Sequence, residues 1–434
     1  MRNFNYTIMQ VYRYPGKDQW NEVVARPTFD NSQLRDLVSG ILAQIKEGGD
    51  GVIKQLEEKF DHCQLTSLEV LPNEFEDAKA AIQPDLAAAI DRAYHNIAAF
   101  HESQHHTYNK VETQPGVHCW QKAIAIDKVG LYIPGGTAPL FSTVLMLAIP
   151  AKIAGCGEIV LCTPPNREGK VNPAILYAAW RSGVTKVYKC GGVQAIGAMA
   201  YGTESVPKVY KIFGPGNQFV QMAKQLVSLR DVAIDMPAGP SEVAVIADAE
   251  SNPEFVASDF LSQAEHGADS QALLFTTSEQ FADKFIGVME SQLEKLQRQE
   301  LTRKSLEHSK IVICRDDEEM MEIVNEYAPE HLIIQTTNYL ELADKVRNAG
   351  SVFLGPYSPE SAGDYASGTN HTLPTNGYAK AYNGVNLDSY MRKVTFQEIS
   401  REGLRDLGPV IETMATAEQL DAHRNAVTVR LANI

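Results

Sequence analysis

Gln263 and His266 stand three residues apart at the end of a segment that closes on Gly267. The segment opens with Ser251-Asn252-Pro253-Glu254, where Asn or Ser can cap free N–H groups and Pro suits the first turn of a helix. Gly267 is a natural C-terminal stop. On such a helix both side chains leave one face at the last turn. An amide oxygen and an imidazole held that way make half of a metal site. The plainer alternative is a polar helix end with a solvated His.

Further residues of the same chemical grade are scattered downstream. Glu330-His331 follows Pro329 and precedes an apolar run from Leu332. Neighbours on a regular strand point to opposite faces, so the two serve one site only from the turn before it, which the Pro permits. Asp364 lies in a small-residue passage, residues 361–368, that lets backbone approach a ligand closely. His371 shares that loop but precedes a Pro-bearing turn and reads as structural. Glu418 and His423 sit five positions apart on a terminal helical stretch, a polar face when taken alone. Gln263, His266, Asp364 and His423 together would form an N/O set suited to zinc or a neighbouring divalent ion, the neutral amide being its weak member. His101 and His105 also have ligand-like spacing, but a solvated helix end is the expectation there.

No G-x-G-x-x-G fingerprint occurs. Glycine-bearing turns nevertheless follow strand-like runs at residues 133–136, 191–194 and 214–217, each leading towards a helix. Helix amino ends of that kind can meet phosphate, and open α/β sheets bind ligands at the carboxyl ends of their strands.

The elements that must position these groups change texture along the chain. Residues 1–30 read as an arm, and residues 34–45 and 84–101 carry apolar positions at the helix period. From Lys128 short apolar strands alternate with helices. Strands are expected near 129–133, 158–162, 186–190, 211–213, 243–246, 272–275, 310–314, 332–334 and 352–354. Such alternation is the mark of parallel sheets wrapped by helices, here two units of similar size with a cleft between them. From Tyr390 the chain reads as helical and amphipathic. At 434 residues it exceeds one ordinary core. A net charge of -15 without a basic block argues against nucleic acid. Six cysteines lacking any CxxC pair suit buried thiols and the cytoplasm. The most apolar run, residues 138–151, is too short for a bilayer span, and no membrane association is expected.

With these residues in view the chain resembles the histidinol dehydrogenase family. The matching blocks are residues 129–136, 191–196, 211–217, 234–242, 261–267, 329–332 and 361–371, with Glu418 and His423 beyond. Val193 departs from the pattern where a small residue such as Ala is usual, with no expected effect on chemistry. The resemblance implies an α/β fold of two incomplete Rossmann-like domains with parallel-sheet cores and small helical N- and C-terminal extensions. On this chain the divisions would be an arm at 1–30, a first domain at 31–128 and 243–385, a second at 129–242 on the NAD side, and an extension at 386–434.

The same resemblance implies zinc, one per subunit, on Gln263, His266, Asp364 and His423. It places L-histidinol against Ser241, Gln263, His266, His331, Asp364, Glu418 and His423, and NAD against Tyr132, Gln194 and Asn217. Glu330 and His331 would be the acid–base pair, and the active site would be shared within a homodimer. The implied reaction is a four-electron oxidation of histidinol to histidine through bound histidinaldehyde, the last step of histidine biosynthesis. His331 is expected near operating pH as the base, and Glu330 as the activator of water. A zinc hydrolase would use the ligand set but leave the three glycine turns idle. A binding protein without turnover would leave Glu330-His331 without a task.

Overall fold

The computed structural model describes residues 8–27, 32–135 and 138–434. Gly136, the last residue of the first glycine turn, and parts of the arm lie outside them. Two all-parallel sheets form the cores. The larger runs in the order Gln10–Arg13, Lys310–Ile313, Gln271–Thr276, Glu242–Ala247, His331–Ile334, Ser351–Leu354. The smaller runs Lys186–Lys189, Glu158–Thr163, Lys128–Tyr132, Lys211–Phe213, Ala233–Ile234. Central strands such as Glu242–Ala247 and Gln271–Thr276 are buried along their whole length, which is why they read as unbroken apolar runs. Each expected strand is present.

With Gln10–Arg13 set aside, the strands of both sheets, counted along the chain, follow the order third, second, first, fourth, fifth, that of an incomplete Rossmann unit. The larger sheet adds Gln10–Arg13 beyond its third strand, so part of the expected arm is instead an edge strand. Val23 enters the same core, and Lys310 Nζ donates to the carbonyls of Glu22, Val23 and Ala25 at 2.7–2.9 Å.

One expected division does not hold. Helices Ser32–Phe60 and Pro84–Glu102, assigned by sequence to the 243–385 unit, pack on the smaller sheet. Val38, Leu42, Ile45 and Ile53 share a core with Val160, Ile196 and Ile212, while Ile90, Ala93 and Ile97 pack with Leu131, Leu145 and Leu161. The smaller sheet has two apolar faces that need covering, and these helices precede its first strand in the chain.

Residues 391–399 are likewise a strand rather than helix. Met391–Ile399 pairs antiparallel with Val117–Ala125, which pairs in turn with Val111–Gln114. Trp120 and Phe396 stack across this ribbon at 5.5 Å, a cross-strand pair that outweighs the helical pattern. Helices Arg401–Ala417 and Asp421–Leu431 follow and pack on each other, leaving Val410, Met414, Leu420 and Val429 exposed. Among the described residues no helix is long and apolar enough to cross a membrane. All six cysteines are free thiols.

Candidate active site

A cavity of about 410 Å³ opens between the two sheets. From the smaller sheet it takes residues just beyond strand carboxyl ends: Pro134, Gly135, Gly214 to Asn217, Asp235 and Met236. The larger sheet contributes from the opposite edge, with Ser241, Glu330 and His331 at or before strand amino ends. His266, Asp364 and His371 close the wall.

Each group is placed by local backbone chemistry. Helix Pro253–Ala264 is capped by the Asn252 side chain, which accepts from the Glu254 N–H at 2.9 Å. Its last turn buries Gln263, and the following turn brings His266 to the cavity. Ala328 ends helix Asp317–Tyr327 in the left-handed region at φ 52°, and Pro329 turns the chain. Glu330 therefore lies off the strand and His331 is its first residue, so both reach one cavity. Helix Glu360–Tyr365 carries Asp364. Its loop is tied down by Asn370, which donates to the Met146 carbonyl at 2.6 Å. Asn370 also lies 3.4 Å from Nε2 of His101, which is buried, not solvated as the sequence suggested.

The buried His331 ring stands among three carboxylates. Nδ1 is 3.7 Å from Glu330 Oε2 and 4.0 Å from Glu360 Oε1, and Nε2 is 3.7 Å from Asp364 Oδ1. Neither ring nitrogen has a hydrogen-bond partner. Burial would lower its pKa, but Glu360, Glu330 and Asp364 outweigh burial and push it up to about 10. The near-neutral value expected from sequence is thus corrected by three negative neighbours in a dry site. Burial raises Glu330 to about 7 and Glu360 to about 8. Burial would raise Asp364, but the positive field of His331, with His371 and His266 beside it, outweighs burial and holds it below its usual value. His266 opens onto the cavity yet is enclosed by protein at depth, and that desolvation lowers it.

The Glu242 N–H donates to Glu330 Oε2 at 2.9 Å. The Gln263 amide lies against the same groups; with its nitrogen on Glu360, its oxygen accepts from the Glu242 N–H at 2.9 Å. Ligand atoms of His266, Glu360 and Asp364 lie within 4.8 Å of one another. Glu360 was missed in the sequence, although it stands four residues before Asp364, the spacing that shares a helix face. His371 bridges Thr143 Oγ1 at 3.1 Å and the Asp364 carbonyl at 2.9 Å, the structural role expected of it, while also lining the cavity.

The other expected residues divide. Ser241 lines the cavity, as does Asn217, whose side chain caps helix Gln218–Ser228 by accepting from Phe219 and Val220 N–H. Tyr132 and Gln194 sit near the same sheet edge but are buried. The Tyr132 hydroxyl accepts from Gly192 N–H at 3.1 Å, and Gln194 Nε2 donates to Glu57 at 3.1 Å. Glu418, just past helix Arg401–Ala417, and His423, on helix Asp421–Leu431, are exposed and do not line this chain's cavity.

A buried Glu–His pair and a cluster of metal-grade donors, facing the carboxyl edge of a Rossmann-type sheet, are the parts that an oxidoreductase of the dehydrogenase class needs. A family model described as Histidinol dehydrogenase matches residues 24–431. The histidinol dehydrogenase of Bacteroides fragilis is 62% identical over 426 residues, covering 98% of this chain and 100% of that one. That of Mannheimia succiniciproducens is 51% identical over 416 residues, 95% and 96% of the two chains. The crystal structure of histidinol dehydrogenase from Elizabethkingia anophelis matches with a TM-score of 0.96 at 50% identity over 99% of both chains. The chain belongs to the histidinol dehydrogenase family.

Proposed function

We propose that this enzyme carries out the zinc-dependent, NAD-linked oxidation of L-histidinol to L-histidine through bound L-histidinaldehyde, closing histidine biosynthesis. The observation that carries the reading is the pairing of Glu330 and His331 in one cavity with His266, Asp364 and Glu360. The residues fit a zinc ion. The donors are imidazole, carboxylate and amide, and the buried Oε2 of Glu360 and both His331 nitrogens lack partners. His266, Asp364 and Gln263 would hold the metal, with His423 from a second copy as the fourth donor. Zinc when bound would orient the amino and imidazole nitrogens of the substrate. NAD would take the hydride, zinc having no redox chemistry of its own.

The chain's own groups then divide the proton work. His331 accepts the hydroxyl proton in the first oxidation; to do so it must be free of the proton its three carboxylates favour. Asp364, if it holds the metal, would no longer offer that charge to His331, which would move His331 towards its working range. Glu330, at about 7, exchanges its proton near neutrality and suits activation of the water that adds to the aldehyde. Ser241, Gln263, His266, His331 and Asp364 would contact histidinol, and Tyr132, Gln194 and Asn217 would serve NAD. The two buried members of that last set support a positioning part more than direct contact.

Glu418 and His423 would complete the site of a second subunit. What supports this is their exposure on a helical pair whose apolar residues also lack cover, which a homodimer would supply. Free thiols accord with a cytoplasmic setting.

Anaerobic mixing with histidinol and NAD tests the assignment. Oxidation of an alcohol to an acid releases four electrons, so two equivalents of NADH should form per histidinol consumed, with histidine as product. One equivalent with free aldehyde would limit the enzyme to the first oxidation. No reduced nicotinamide at all would return the site to a hydrolase or a binding protein.

A further inference from the structure

We infer that Arg26, on the amino-terminal arm, is a positioning residue for Glu330 and His331, its guanidinium clamping together the two chain segments that deliver them to the cavity. This deepens the reading of Glu330 and His331 as the acid–base pair and rests on it.

Glu242 and His331 open neighbouring strands of the larger sheet, with His331 opposite Val243. Two segments therefore arrive side by side, one carrying Ser241 and Glu242, the other running from Tyr327 to His331. Arg26 reaches both. Its Nε donates to Glu242 Oε2 at 2.5 Å and its Nη2 to Glu242 Oε1 at 2.9 Å, a two-point pairing that fixes direction as well as distance. The two side chains are 15% and 3% exposed, so water competes little for the bonds. The same Nη2 donates to the Tyr327 carbonyl at 2.6 Å and lies 3.5 Å from the Ala328 carbonyl. The guanidinium also sits over the Tyr327 ring, 4.0 Å from its centre, and the Tyr327 hydroxyl stands 3.4 Å from Glu242 Oε2.

Both clamped segments set the chemistry. The Glu242 N–H donates to Glu330 Oε2 at 2.9 Å, so the residue that Arg26 pairs with is the one that aims the Glu330 carboxyl. Ser241, next to it, lines the cavity. On the other segment Ala328 holds φ 52°, a left-handed conformation that a residue with a Cβ keeps only where its surroundings impose it. Arg26 binds the carbonyl on the amino side of that turn, and the turn is what sets Glu330 off the strand. Arg26 is itself anchored, because Lys310 Nζ donates to the Ala25 carbonyl at 2.7 Å. A lysine could not replace it: an ammonium is a point charge without the planar fork that grips a carboxylate and a carbonyl together. None of these bonds involves His266, Asp364 or the smaller sheet, so the clamp acts on the acid–base half of the site alone.

Steady-state kinetics on the intact enzyme test the clamp, with zinc content and a thermal melt recorded for each variant. Arg26→Lys keeps the charge and loses the fork. Its kcat should fall by about ten- to hundredfold, the scale expected when reacting groups shift by about an ångström. KM for NAD should stay within about twofold of wild type, and zinc should stay bound. In Arg26→Ala, millimolar guanidinium ion, far below denaturing levels, should restore part of the lost kcat, and ammonium ion should not. A folded Arg26→Lys enzyme with kcat within about twofold of wild type would overturn the inference. So would a loss of kcat that only tracks lost zinc or lost folded protein, or a folded Arg26→Ala that guanidinium does not rescue. If Arg26→Ala does not fold, Arg26→Lys decides by its kcat. Glu330→Gln, run alongside, separates the two readings. If it too keeps wild-type kcat, the acid–base assignment fails and the clamp falls with it; if it loses kcat while Arg26→Lys does not, the clamp alone fails.

Discussion

Glu330 and His331 reach a single cavity because the chain turns at Ala328 and Pro329 before the strand begins. That much was legible, since Pro before an apolar run marks a turn. Their ionisation was not, because it depends on which carboxylates the fold brings within 4.0 Å of His331, and Glu360 and Asp364 come from the separate helix Glu360–Tyr365. The separation of roles is open to measurement. If Glu330 chiefly activates water, Glu330→Gln should depress oxidation of supplied histidinaldehyde far more than oxidation of histidinol to the aldehyde. His331→Asn should slow both half-reactions, by ~10²–10⁴-fold where a general base is lost. Single-turnover rates for each half-reaction would show it. Small and equal losses in both halves for either variant would send the chemistry to other residues.

Among the elements, strands buried on both faces could be read directly, since a run such as Val243-Ala244-Val245-Ile246 has no polar face to disguise it. Strands Gln10–Arg13 and Met391–Ile399 could not, one being a short edge and the other stabilised by pairing with Val117–Ala125. Nor does periodicity say which sheet a helix covers, so helix Ser32–Phe60 was assigned to the wrong core. Its last turns explain what it does there. Glu57 is fully buried and braces the turn that carries Gln194. Burial lifts its pKa from 4.5 to about 8. The folded chain therefore keeps a proton that the unfolded chain loses, so the Glu57 contribution is full below about pH 4.5 and declines as pH rises towards 8. Glu57→Gln keeps the shape and removes the titration. The fall of its melting temperature with rising pH should be shallower than in wild type across that window. A slope equal to that of wild type would show that Glu57 does not titrate there.

On the scale of the whole molecule, two sheets with one strand order meet in opposite senses, the smaller by its carboxyl edge and the larger by its amino edge. Two units of similar size were legible in the alternation, but the inverted meeting leaves no trace in sequence because it is a matter of docking. Such docking puts a Rossmann-type carboxyl edge opposite Glu330 and His331, and it leaves apolar residues of the terminal helices uncovered. His423 is encoded more than fifty residues after Asp364 and is exposed on those helices. If it serves a second copy, lesions on different chains can complement. His266→Ala and His423→Ala homodimers should each lose zinc and activity. Refolded together in equal amounts they should form about half mixed dimers, each with one intact site, so about a quarter of wild-type activity per total site returns. If His423 serves its own subunit, every site in the mixture carries a lesion. A mixture as inactive as its parents, with subunit exchange shown independently by mass, would end the shared-site reading and leave the family assignment standing.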